Sequence, residues 1–142
     1  PVASSELELI RQIRARVAPA RSASVILGIG DDCAIVRPRG AAEDWLYTTD
    51  LLIEGTHFLR TTYTALDVGW KTVARGLSDI AAMGGTPRFC LLSLALGDWV
   101  DARWVDGFYR GLLHLAERAG AALITAAKRG SIRQRCDDAI VV

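Results

Sequence analysis

Cysteine is scarce in this sequence and widely spaced: Cys33, Cys90 and Cys136 form no Cys-x-x-Cys pair. A sparse, odd set argues against a disulfide framework and suits a reducing cytoplasm. Nor do His57 and His114 pair as a zinc site would. An excess of charge is also missing, since 17 basic residues offset 16 acidic ones. With no Lys/Arg run, no nucleic-acid surface is expected. The apolar runs fall far short of the roughly 20 residues of a membrane-spanning helix. The start, Pro1-Val2-Ala3-Ser4-Ser5-Glu6, lacks the basic and apolar parts of a secretory signal. There is no GxxxxGK[ST] phosphate loop, and Gly28-x-Gly30 meets Cys33 where a dinucleotide fingerprint needs its third glycine. No Ser-His-Asp elbow, internal repeat or low-complexity segment is present.

What the chain does have is enough for one domain. Its 142 residues are 51% hydrophobic and 23% charged, which supports a packed core. Ser5-x-x-Glu8 is a capping-box pattern, and Leu9, Ile10, Ile13 and Val17 follow at helical spacing, so residues 5–17 read as an amphipathic helix. After a polar loop over 18–24, short strands are expected at Val25–Leu27 and Cys33–Val36, and a longer one over Trp45–Ile53. Leu66, Trp70, Val73, Leu77 and Ile80 mark a helix over 66–83, which Gly84-Gly85-Thr86-Pro87 stops. Phe89–Leu96 is nearly all apolar and reads as a well-buried strand. Trp104, Phe108, Leu112 and Leu115 mark a helix over 101–119; a strand begins at Ala121, and another at Ala139. Cys33 and Cys90 read as small buried hydrophobes, and His114 as a surface or packing residue. This order points to an α+β or α/β fold with helices packed on one sheet.

The chemistry is in aspartates beside turns and strand ends. Magnesium takes hard oxygen ligands and keeps several waters, so it is held by a few carboxylates plus substrate phosphates. Asp32 follows Gly30-Asp31, where glycine lets backbone approach a ligand; Asp50 follows Thr48-Thr49; and Asp79 sits late in an apolar helix. Strand alternation puts Thr48 and Asp50 on one face and Thr49 on the other, so a metal using all three needs a backbone carbonyl or a bend. Taken singly, each aspartate reads as a cap, a turn residue or a solvated carboxylate. Together, with no matched basic partner expected nearby in sequence, they read as a magnesium set. His57, after the Gly55 turn, reads equally as structural or ligating.

Three blocks then carry a resemblance: Gly28-Ile29-Gly30-Asp31-Asp32-Cys33-Ala34, Thr48-Thr49-Asp50 through Glu54-Gly55-Thr56-His57-Phe58, and Lys71 with Leu77-Ser78-Asp79-Ile80-Ala81-Ala82-Met83-Gly84. In order and spacing they resemble the thiamine-monophosphate kinases, over roughly residues 6–124. The resemblance implies the N-terminal domain of the aminoimidazole ribonucleotide synthetase-like fold, an α+β sandwich-like domain with a mixed sheet. It also implies pairing into a barrel-like homodimer. The implied reaction is ATP-dependent, magnesium-assisted phosphorylation of thiamine monophosphate to thiamine diphosphate in the cytoplasm. Asp32, Asp50 and Asp79 fall on the family's magnesium positions, and Thr48 and Thr49 on neighbouring metal contacts. His57 falls on a substrate contact and Tyr109 on a nucleotide (ATP) contact, while no side chain is assigned as a catalytic base. Members often carry Asn where Gly76 stands here.

After Ile124 the family continues Gly-Gly-Asp-Thr, whereas this chain reads Thr125-Ala126-Ala127-Lys128-Arg129. The expectation is therefore a domain over 1–124 and an atypical tail over 125–142. The tail would reflect a truncated chain and either a shifted reading frame or a sequencing artefact, with the C-terminal domain missing and turnover impaired. Two alternatives stay open: another ATP-using synthetase of the same superfamily, and a non-catalytic dimerisation or metal-nucleotide-binding fragment.

Overall fold

The computed structural model describes residues 5–17, 22–129 and 139–141. The beginning of the expected loop at 18–21, Cys136 and the Asp137-Asp138 pair lie outside the described residues. Helix α1 runs Glu6–Val17, and strands β1 (Val25–Leu27), β2 (Ala34–Val36), β3 (Trp45–Tyr47) and β4 (Leu51–Ile53) follow. Then come α2 (Ala65–Ala82), β5 (Phe89–Ala95), α3 (Ala102–Arg118), β6 (Ala122–Arg129) and β7 (Ala139–Val141). Among the described residues no helix is long and apolar enough to cross a membrane.

The α+β expectation holds, but the single sheet does not: the strands form a three-stranded sheet β1-β2-β3 and a four-stranded sheet β4-β7-β5-β6. The division falls inside the strand expected over Trp45–Ile53. Thr48-Thr49-Asp50 belongs to neither β3 nor β4. At this break the Asp50 carboxylate takes the Leu51 backbone N–H at 2.7 Å, a local side-chain bond that competes with strand pairing. In the second sheet β5 and β6 are parallel, joined through α3, and β7 lies antiparallel between β4 and β5.

Both long helices start at side-chain caps. In α2 the Thr64 hydroxyl accepts from the Asp67 N–H at 3.2 Å, while the Asp67 carboxylate accepts from the Thr64 N–H at 2.9 Å. In α3 the Asp101 carboxylate accepts from the Trp104 N–H at 2.7 Å. Leu52, Leu92 and Leu94 of the sheet pack with Val68, Val73, Phe108, Leu112 and Ala116 of these helices to form the core. The two helices approach backbone to backbone: a Cβ on Gly69 would lie 1.9 Å from the Phe108 carbonyl oxygen, and one on Gly111 would lie 2.0 Å from that of Leu66. By contrast α1 buries none of its residues, and its apolar Leu9, Ile13 and Val17 stay exposed.

Strand β5 departs from its expected full burial. Leu92 and Leu94 face the helices and are buried, whereas Phe89 and Leu91 on the other face are 57% and 54% exposed. Among the described residues no helix or strand layer lies against this second face to cover these side chains.

Gly76 lies inside α2, and a Cβ there would meet only the Thr48 methyl, at 3.9 Å, an ordinary contact. Its helical backbone needs no glycine, so Gly76→Ala is expected to stabilise the chain by about 0.5–1 kcal/mol. A urea midpoint that stays put or falls would contradict this.

Candidate functional site

The link Thr48-Thr49-Asp50 between β3 and β4 meets the last turn of α2. There the Thr48 hydroxyl donates to the Asp79 carboxylate at 2.5 Å. A carboxylate at the C-terminal end of a helix faces the negative end of the helix dipole, and the last turn of α2 holds no basic residue. Local electrostatics at Asp79 therefore favour a cation. Buried Cys33 sits close by: burial first, and then the charges of Asp79, Asp32 and Asp31, hold its thiol above the ordinary range. Carboxylates from two segments thus act electrostatically on the same thiol. Asp31 and Asp32 are exposed, and the Asp31 carboxylate takes the Asp32 N–H at 3.0 Å.

Asp50 has a partner of its own. The Arg75 guanidinium grips it with two N–H groups, Nε to Oδ2 and Nη2 to Oδ1, the latter at 2.9 Å. Partial burial disfavours the Asp50 charge. The bonds from Arg75 and the Leu51 N–H, with the charges of Arg75 and His57, outweigh it and hold the carboxyl below the usual range. The same bond raises Arg75 above its ordinary value, with the charges of Asp50 and Asp79 adding to it. This corrects the expectation that the aspartates lack a basic partner. Arg75 precedes Asp79 by four residues, one helical turn, and that spacing was visible in the sequence. Its pairing with Asp50, 25 residues away, was not.

His57 is fixed by the turn that follows β4. Its Nδ1 accepts the Ile53 N–H at 3.0 Å, which leaves Nε2 as the ring's other polar atom, and its carbonyl takes the Lys71 ammonium at 2.6 Å. Lys71 also reaches the Tyr63 hydroxyl at 3.3 Å. Tyr109 is placed as a packing residue, edge-on to Phe108 with ring centroids 5.6 Å apart and against the core. His114 packs too, with its ring centroid 5.4 Å from that of Trp70.

The donors suit magnesium in kind, since Asp32, Asp50, Asp79, Thr48 and Thr49 offer only oxygen. Among the described residues no three of His, Cys, Asp and Glu gather closely enough to hold an ion by themselves. That arrangement fits a cation that takes one or two carboxylates, keeps its waters and shares a substrate's phosphates, and it does not fit an all-protein cage.

Known proteins share this architecture. The thiamine-monophosphate kinase of Haemophilus influenzae is 43% identical over 103 residues, 71% of this chain and 30% of that protein. The thiamine-monophosphate kinase of Escherichia coli K12 is 40% identical over 115 residues, 80% of this chain and 34% of that protein. The solved structure of AaThiL complexed with AMPPCP and TMP is 32% identical, with a TM-score of 0.78 over 96% of this chain and 40% of that one. The chain thus spans about a third of the length of the curated relatives it matches. The AIR synthase related protein, N-terminal domain, family profile matches residues 30–131, from the glycine before the Asp31-Asp32 pair to beyond β6. The chain belongs to this family of AIR synthase related N-terminal domains, and thiamine-monophosphate kinases are among the relatives it resembles.

Proposed function

We propose that this chain is the magnesium- and nucleotide-holding part of an enzyme that transfers the γ-phosphoryl group of ATP to thiamine monophosphate in the cytoplasm. The observation that carries the reading is the fold match, TM-score 0.78, to AaThiL complexed with AMPPCP and TMP. Asp32, Asp50 and Asp79, with Thr48 and Thr49, would hold magnesium, which when bound neutralises and aligns the donor and acceptor phosphates. The bond from Thr48 holds the Asp79 carboxylate beside the link at 48–50 that carries Asp50. His57, locked through Nδ1 to the Ile53 N–H, would present its other ring nitrogen to the acceptor. Tyr109 is the candidate nucleotide contact. A phosphate monoester oxygen is already nucleophilic near neutral pH, so these residues need only position the reactants for in-line transfer.

The exposed face of the four-stranded sheet supports a homodimer. Phe89, Leu91 and Ile124, each more than half exposed, come from adjacent strands β5 and β6. A second copy laid against this face would bury them and close the sheets toward a barrel.

Thermal melts of the chain with magnesium, with AMPPCP and with both are the test. Both together are expected to raise the melting temperature by several degrees, since a ligand bound only to the folded state stabilises it. Melts indifferent to either addition would overturn the reading. Sedimentation should give a dimer at micromolar chain, and a monomer there would remove the second copy from the proposal.

A further inference from the structure

The feature that the proposed function leaves unexplained is Arg75. Its guanidinium is forked onto Asp50 by two hydrogen bonds, from a helix position one turn ahead of Asp79. The proposed reading wants that carboxylate for magnesium. A guanidinium and a hydrated divalent ion cannot both take the two oxygens of one carboxylate face on. We propose that Arg75 is a built-in counter-cation that seats on Asp50 in the metal-free chain and must leave before a divalent ion can use that carboxylate. This inference rests on the magnesium reading of Asp50 and adds a competitor to it.

Three observations fit a seat that can be vacated. The Arg75 side chain is 35% exposed, so the guanidinium already borders water and can swing out without crossing the core. Its neighbour Gly76 adds no side chain to block that swing, and a Cβ at Gly76 would meet only the Thr48 methyl. The Asp50 side chain is 22% exposed, so partial burial favours a counter-charge beside it, and Arg75 supplies one in the absence of metal. Asp79, which also acts electrostatically on Arg75, has no ion-pair partner among the described residues. When the guanidinium leaves, a divalent ion thus meets two carboxylates whose charges were balanced by a single arginine.

The consequence is quantitative. A ligand that binds only the open form has its apparent affinity reduced by the fraction of chains that are open. An arginine seated nine times in ten would therefore weaken metal binding about tenfold. The seat also sets a threshold: metal without enough free energy to displace the arginine leaves Asp50 closed, whereas metal arriving with phosphates has more contacts with which to open it.

The test is a titration of the whole 142-residue chain with Mn2+ alone, following the electron paramagnetic signal of free Mn2+, for wild type, Arg75→Gln, Arg75→Lys and Asp79→Asn. Arg75→Gln is expected to bind Mn2+ about tenfold more tightly than wild type, with Arg75→Lys between them because lysine lacks the fork. Without metal, Arg75→Gln should melt below wild type, and saturating Mn2+ should close the gap. If Arg75→Gln binds Mn2+ no more tightly than wild type while Asp79→Asn binds far less, the metal site stands and the competitor role of Arg75 is overturned. If neither wild type nor the Arg75 variants bind Mn2+, the inference falls together with the magnesium reading. Should circular dichroism show Arg75→Gln unfolded, Arg75→Lys decides alone: tighter binding supports the seat, and equal or weaker binding overturns it.

Discussion

Gly69→Ala and Gly111→Ala should each lower the melting temperature of this chain by about 10 °C or more, corresponding to roughly 3 kcal/mol. The added methyl on Gly69 would sit 1.9 Å from the Phe108 carbonyl oxygen, and the one on Gly111 would sit 2.0 Å from that of Leu66. Backbone atoms cannot rotate aside as a side-chain end would, so α2 and α3 must move apart to make room. That separation would strip contacts from Phe108 and Leu112, which are 0% and 1% exposed at the crossing. Losing part of such contacts adds a cavity cost to the overlap. Gly107 is the graded control, because its Cβ would meet the Ala65 methyl at 3.1 Å and a small shift relieves it. Gly76→Ala, in the same helix as Gly69, should move stability the other way. Differential scanning fluorimetry on the four variants checks the ranking, and a Gly69→Ala melt within a degree or two of wild type would show that the helices do not cross this closely.

The helices were the legible part of the fold. Caps at Thr64 and Asp101, apolar residues at helical spacing and the Gly84-Gly85 stop all act within a few residues, so sequence exposes them. Boundaries fell within a residue or two. The break between β3 and β4 is hidden in the sequence because no glycine or proline marks it; Asp50 bonds the next N–H there, and its flanks are β-favouring aromatic and branched residues. The apolar run of β5 suggests a well-buried strand, yet among the described residues the helices cover only its Leu92 and Leu94 side and leave Phe89 and Leu91 exposed. β6 continues through Lys128 and Arg129 because backbone pairing with β5 sets its length there, against a polar composition. The place of β7 between β4 and β5 depends on contacts across some 45 to 90 residues of chain, beyond any local pattern. At the site, sequence pointed to the aspartates, and the structure brings Asp79 to Thr48, with the charges of Asp79, Asp32 and Asp31 all acting on buried Cys33. Arg75 was missed although its spacing to Asp79 was in view, because attention to carboxylates alone overlooks the cation that balances them.

Asp79→Asn should separate the role of this carboxylate in the fold from its role toward a ligand. Its amide oxygen can still accept the Thr48 hydroxyl that now lies 2.5 Å from the carboxylate, so the junction of the link with α2 is kept. The substitution also removes a negative charge from the C-terminal turn of a helix, where such a charge is unfavourable by about 0.3–1 kcal/mol. That gain offsets the weaker hydrogen bond of a neutral acceptor, and the metal-free melt is expected to stay within a degree or two of wild type or to rise. Magnesium binding should respond in the opposite sense. An amide is a poor substitute for a carboxylate toward a hard dication, and the loss of one ligand should weaken binding about a hundredfold, in line with or beyond the cost of removing a ligand's own supporting bond. The stabilisation by magnesium with AMPPCP should then vanish at concentrations that shift the wild type. A residue that only held the fold would lower both melts together. If Asp79→Asn loses stability without metal and keeps its full response to magnesium with AMPPCP, Asp79 is a structural partner of Thr48 and the metal site lies elsewhere. A fold left intact with its metal response gone can arise only if the carboxylate is there for the ligand, which is why this substitution tests the site more sharply than any loss of activity could.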